Sequence, residues 1–150
     1  MDKRVKAPRL FAAVLALTLC AAAVAWAQDA VSPGACKVRD PDLAGSYRGG
    51  CKDGWADGRG EARGKDSYVG EFSAGYPNGT GRYRWANGDV YDGDWRDDQR
   101  TGHGEFTWAN GNYYDGGWLN SKRNGHGIYY WTNGTVYNGE WRDDAPADQR

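Results

Sequence analysis

The chain has 150 residues, 19 Lys+Arg against 20 Asp+Glu, 23 Gly, eight Trp, ten Tyr and three Phe. Such a near-neutral balance is not built for nucleic acid or for an anionic bilayer. From Gly45 onward the only Val, Leu and Ile are Val69, Val90, Leu119, Ile128 and Val136, too few for an ordinary two-layer core. The apolar material is aromatic, which favours strands and a thin all-β structure.

Residues 1–27 read as an export signal. Lys3, Arg4, Lys6 and Arg9 precede an apolar run from Leu10 to Ala25, and Ala25-Trp26-Ala27 is a small-x-small cleavage site. The rival reading is an uncleaved inner-membrane anchor over residues 10–27, just long enough to span. A third takes Cys20 as a lipoprotein acceptor, but Leu19 stands where a small residue is expected. Cleavage after Ala27 leaves 15 Lys+Arg against 19 Asp+Glu, a net charge of −4.

Residues 28–46 read as an N-terminal cap segment closed by a disulfide. With Cys20 removed, Cys36 and Cys51 remain, and two cysteines in an exported chain are most simply one disulfide. Closing that loop is worth about 3 kcal/mol by chain entropy. A zinc site at these cysteines lacks its other ligands.

From residue 47 the chain is periodic. Tyr68, Tyr91, Tyr114 and Tyr137 are spaced by 23. Two residues after each comes Gly70, Gly93, Gly116 or Gly139, and four after each comes Phe72, Trp95, Trp118 or Trp141. Gly79-x-Gly81, Gly102-x-Gly104 and Gly125-x-Gly127 follow in phase, then Tyr83, Phe106 and Tyr129, then Trp85, Trp108 and Trp131. Each full unit closes on Asn-Gly, at 87–88, 110–111 and 133–134. A degenerate copy runs through Tyr47, Gly49, Cys51, Gly54, Gly58 and Gly60, with two residues missing before Tyr68. The array of residues 47–142 therefore divides into a degenerate unit at 47–67, full units at 68–90, 91–113 and 114–136, and a half unit at 137–142. Residues 143–150 read as a flexible acidic tail, with Asp143, Asp144 and Pro146 discouraging further strand pairing.

The succession Tyr-x-Gly-x-Trp, Gly-x-Gly and Asn-Gly resembles the membrane occupation and recognition nexus (MORN) repeat. Asp98, Ser121 and Asp144 depart from it, standing where the pattern usually carries Gly. The export signal and the Cys36 to Cys51 segment resemble those of bacterial exported members. The resemblance implies protein contacts and dimerisation.

The predicted fold is all-β, an elongated twisted antiparallel meander of stacked hairpins behind the signal segment. Asn-Gly predicts type I′ turns, pairing residues 82–86 with 89–95 so that Ala86 faces Asp89 and Trp85 faces Val90. That register puts Tyr91, Gly93 and Trp95 on one face and Tyr83, Trp85 and Val90 on the other. The glycine between two rings leaves bare backbone on which a neighbouring ring can lie. No unit can bury its rings alone, so stability must come from stacking.

Little here predicts reaction chemistry. His103 and His126 are one repeat, about 10 Å, apart, whereas zinc holds its ligands about 2 Å from itself; they read as loop residues, and no metal or other cofactor is expected. Ser46, Ser67, Ser73 and Ser121 sit in no nucleophile motif, and Asp97-Asp98 and Asp143-Asp144 read as solvated turn charge. The glycines lack a phosphate-loop context. The expected function is therefore non-enzymatic: a binding or scaffold module of the cell envelope, periplasmic or secreted, presenting a concave aromatic face to a protein partner or to a second copy. Its candidate surface is Tyr68, Phe72, Tyr91, Trp95, Tyr114, Trp118, Tyr137 and Trp141, against the simpler reading that these rings pack on one another and on glycine. The alternative ligand is envelope glycan or a lipid headgroup; no nucleic-acid partner is expected.

Overall fold

A computed structural model describes residues 36–149; the export signal and the residue 10–27 anchor reading lie outside them. Ten strands follow one another: β1 (Ser46–Lys52), β2 (Trp55–Arg63), β3 (Ser67–Ser73), β4 (Tyr76–Arg84), β5 (Val90–Arg96), β6 (Gln99–Thr107), β7 (Tyr113–Leu119), β8 (Lys122–Tyr130), β9 (Val136–Arg142) and β10 (Ala145–Pro146), before a 3-10 turn at Ala147–Gln149. They form one open antiparallel sheet in sequence order. The all-β meander is thus as the period predicts. No helix among the described residues is long and apolar enough to cross a membrane.

Two kinds of hairpin alternate, and the type I′ geometry expected at Asn-Gly belongs to the other kind. Two-residue turns lie at Asp53-Gly54, Ala74-Gly75, Asp97-Asp98, Asn120-Ser121 and Asp143-Asp144, where both residues have positive φ, for example 47° and 66° at Asp97 and Asp98. These are the type I′ turns. At the Asn-Gly sites only the glycines have positive φ, 96° at Gly88, 89° at Gly111 and 86° at Gly134. There the Gly88 amide donates to the Trp85 carbonyl at 3.0 Å and the Trp85 amide to the Asp89 carbonyl at 3.0 Å. This is a three-residue loop, a type I turn closed by a left-handed glycine. The Asn87 side chain selects it by accepting the Asp89 amide at 3.0 Å, a local bond that needs no positive φ at the asparagine. Asn110 and Asn133 repeat it towards Asn112 and Thr135.

The extra loop residue moves the register by one. Arg84, not Trp85, faces Val90, and Tyr83 faces Tyr91. Because a one-residue slip reverses the faces, Tyr83 and Trp85 join the Tyr91 side that the sequence reading denied them. All the repeat rings share one side of the sheet, and charged residues occupy much of the other.

The two glycines of Gly-x-Gly act differently. The first sits in a bulge at positive φ, as at Gly79 (71°) and Gly102 (57°), and re-aims the strand towards its two-residue turn. The second belongs to a row running across the sheet through Gly49, Gly60, Gly70, Gly81, Gly93, Gly104, Gly116, Gly127 and Gly139, each facing the next. The conserved spacing within the chain thus maps to one bare track of backbone.

The chain also continues past the expected end of the array. Asp143 and Asp144 make the same turn as Asp97 and Asp98, and β10 pairs with β9, Pro146 facing Trp141. The residues expected to stop pairing form a short edge instead, because Asp tolerates left-handed φ and Pro tolerates an edge position.

Candidate binding face

The ring side is built from Tyr-x-Gly-x-Trp. Tyr91 lies along its own strand over Gly93 and across to Gly104, its hydroxyl donating to the Asp94 carbonyl at 3.1 Å. Tyr68, Tyr114 and Tyr137 repeat this towards Glu71, Gly117 and Glu140. Each tryptophan Nε1 then reaches back to the second glycine of the preceding pair: Trp95 to the Gly81 carbonyl at 3.1 Å, Trp118 to Gly104 at 3.0 Å and Trp141 to Gly127 at 3.2 Å.

Rings interlock between units. Tyr91 stands edge-on between Trp95, at 5.1 Å and 89°, and Trp118 of the next unit, at 5.3 Å and 83°. Tyr114 stands likewise between Trp118 and Trp141. Such contacts add about 0.5–1.5 kcal/mol per pair beyond area burial, and here they cross the repeat boundary.

The cost of this packing to the predicted surface is access. Tyr68, Tyr91 and Tyr114 are wholly buried, and Phe72, Trp95, Trp118 and Trp141 are no more than 5% exposed. Only Tyr137, near the last edge, is half-buried. The structure brings seven of the eight candidate residues together as core, not as an open contact surface. Ring-on-glycine packing closes over them.

What lies outside that core is a second row. Trp85, Trp108 and Trp131 are half-buried and pack against Tyr83, Phe106 and Tyr129 at 4.4–4.5 Å. Two arginines sit among the same rings. Arg100 holds its guanidinium 4.4 Å from the Trp118 ring and 5.1 Å from Phe106, while Nη2 donates to the Ser121 carbonyl at 2.8 Å. Burial lowers its pKa. Arg123 lies 4.2 Å from Trp141, with Nε donating to Asp144 at 3.1 Å. Equivalent positions in neighbouring units are Pro77 and Pro146, facing Phe72 and Trp141. The sequence signal for this row was present in the 23-residue recurrence of Trp before each loop, but the mistaken register assigned it to the wrong face.

At the N-terminal end the ring side is covered. A disulfide joins Cys36 and Cys51, with Cα atoms 5.9 Å apart. Behind it the chain crosses the hairpin tips: the Lys37 amide donates to Gly54 and that of Arg39 to Gly75. The Arg39 guanidinium lies 3.8 Å over Trp55. Leu43 is then fully buried in the ring cluster.

The polar face carries His103 and His126, both exposed. His103 Nε2 lies 2.8 Å from the Asp115 carboxylate. Among the described residues, no group of three or more His, Cys, Asp or Glu is placed to hold a metal.

The 23-residue units, the Gly-x-Gly bulges and the ring ladder identify the repeat. The MORN repeat family model matches residues 68–90, 91–113 and 114–136. The chain carries three consecutive MORN repeats. Its matched units have the boundaries read from the tyrosine period. No match was found among the curated proteins.

Proposed function

We propose that this MORN protein is a non-enzymatic binding module of the cell envelope, and that its contact surface for a protein partner is the row Trp85, Trp108 and Trp131. The observation that carries the reading is the division of rings into a buried set and a half-buried set repeating along the same side. Half-buried tryptophans already lose much of their rotamer freedom within the fold, so they contact a partner at low entropic cost. Arg100 and Arg123, held between the rings, add fixed donors and positive charge beside the row. These features suit an apolar segment flanked by acidic residues.

Export is supported by the basic start and apolar run of residues 1–27, and by a Cys36–Cys51 bridge suited to an oxidising compartment. The test is crosslinking in the producing cell from a photoreactive residue at position 108, with position 128 on the polar face as the control. A discrete protein adduct at 108 and none at 128 supports the assignment; the reverse pattern contradicts it. An adduct with a second copy of the chain identifies self-association as the contact.

The tryptophan row also favours a second ligand class, because evenly repeated indole faces can stack on the apolar faces of sugars. Retention on peptidoglycan that is lost in Trp108→Ala would select glycan over protein.

A further inference from the structure

The Tyr83 hydroxyl lies between two buried carboxylates. Its oxygen is 3.0 Å from Asp40 Oδ2 and 3.0 Å from Asp66 Oδ2, and the two aspartates are 8% and 5% exposed. Their other oxygens are held by amides: Asp42 donates to Asp40 Oδ1 at 2.8 Å, and Ala86 to Asp66 Oδ1 at 2.9 Å. Each carboxylate therefore has one oxygen fixed by backbone and the other turned onto the same phenol.

A phenol has one hydrogen to give. It satisfies one carboxylate, so the second contact is attractive only when that carboxyl carries a proton and donates to the phenol oxygen. With both groups ionised, lone pair would face lone pair with little water to separate them.

The same protein contains the balanced arrangement two units later. Asn112 replaces the aspartate there, its Nδ2 donating to the Tyr129 hydroxyl at 3.1 Å and its Oδ1 accepting the Thr132 amide at 3.0 Å. In the intervening unit Phe106 offers no hydroxyl, and Asp89 accepts the Ala109 amide at 2.8 Å. The surplus of acceptors arises where the N-terminal loop brings in Asp40.

We propose that Asp40, Tyr83 and Asp66 form a proton-dependent latch: the loop of residues 36–46 closes on the ring side with uptake of one hydrogen ion and releases as pH rises. The nearby basic groups are engaged elsewhere, and an acidic one bears on Asp40. Lys65 Nζ lies 3.4 Å from the Asp42 carboxylate, and Arg39 is turned away onto Trp55 and the Ala74 carbonyl. Asp98, on the β5–β6 turn, has its carboxyl pushed up to about 6, by burial first and then by the charge of Asp40. Burial, then Asp40, raises Tyr83 as well, so the phenol keeps its hydrogen. The Cys36–Cys51 bridge tethers the loop. Release is therefore local: it frees the Tyr83 hydroxyl from Asp40 and lifts Leu43 out of the ring cluster while the array stays folded.

The sign follows from proton counting. Above the pH at which aspartates ionise in the open loop, about 4, the closed state binds one more proton. Its closing constant then falls by up to about tenfold per pH unit until the shared proton is lost. The test uses residues 28–150 with the disulfide intact and follows amide-exchange protection factors of Arg39 and Asp42 between pH 5 and 8, referenced to Gly104 in the array. Their relative protection falls at least about tenfold in the wild type and stays level in Asp66→Asn, which copies the Asn112 arrangement. A level wild type, or equal slopes in both proteins, overturns the latch. Should Asp66→Asn fail to seat the loop, carbon NMR of the wild type decides. One protonated carboxyl persisting across Asp40 and Asp66 at pH 6 supports the latch, and two ionised carboxylates overturn it.

Discussion

The Tyr91 hydroxyl occupies the space that a β-carbon on Gly104 would need: the two would be 2.3 Å apart, with ring carbons at 2.5 Å. Glycine is required here by the ring resting on the backbone, since Gly104 does not have the positive φ of the bulge glycines. Gly104→Ala must displace a fully buried tyrosine and should destabilise the protein by about 1–3 kcal/mol. Gly134, on a loop at φ 86° with open space around it, supplies the comparison. Gly134→Ala should cost about 1–2 kcal/mol through backbone strain alone and leave aromatic near-UV dichroism unchanged. Urea unfolding with near-UV spectra separates a packing defect from a turn defect.

The turn assignment makes its own prediction. Gly88 needs its left-handed φ, whereas Asn87 acts through a side-chain bond. Gly88→Ala should therefore cost about 1–2 kcal/mol and Asn87→Ala less than about 1 kcal/mol, read from the urea midpoint. A type I′ turn would require positive φ at both positions. Stabilisation by Asn87→Gly would contradict the observed loop.

This contrast shows where legibility ended. The tyrosine period and the absence of aliphatic residues made the all-β repeat readable, and the Tyr-x-Gly-x-Trp spacing correctly placed rings on bare backbone. Asn-Gly, however, serves both a two-residue and a three-residue loop, and that single residue decides which face Tyr83 and Trp85 occupy. Nor could spacing reveal that Trp118 covers Tyr91, because that contact joins successive units. Asp40 lies before the periodic array and Asp66 within it, so only folding shows that they meet at Tyr83.

Asp98 and Asp144 occupy equivalent turn positions at φ 66° and 68°, but their side chains differ in use. Asp144 accepts from the Arg123 amide and Nε, whereas Asp98 is partly buried near Asp40 with a raised pKa. Asp98→Gly should stabilise by about 1 kcal/mol through relief of the left-handed cost. Asp144→Gly should give no gain, since it also removes the Arg123 bonds. The Asp98 carboxyl, raised to about 6, retains its proton in the folded state after the unfolded group, near 4, has lost it. Its contribution therefore lowers stability as pH rises from about 4 to about 6, and Asp98→Gly should remove that part of the slope. Thermal midpoints across this window test both statements.

Reduction should act on the N-terminal cover and spare the array. Opening the Cys36–Cys51 bridge restores loop entropy worth about 3 kcal/mol, so Arg39 and Asp42 should lose exchange protection in reductant. Gly104 and Gly127 should keep theirs. Uniform loss at all four sites would show that the cover and array fold as one unit.

The most direct test compares Trp118→Ala with Trp108→Ala by urea unfolding. Trp118 is 5% exposed and bonded to the Gly104 carbonyl, while Trp108 is half-buried on the outer row. The interlocked core predicts a loss of about 3–5 kcal/mol for Trp118→Ala and less than half of that for Trp108→Ala. Equal losses, or a tolerated Trp118→Ala, would contradict the division between buried rings that hold the repeats together and outer rings left for a partner.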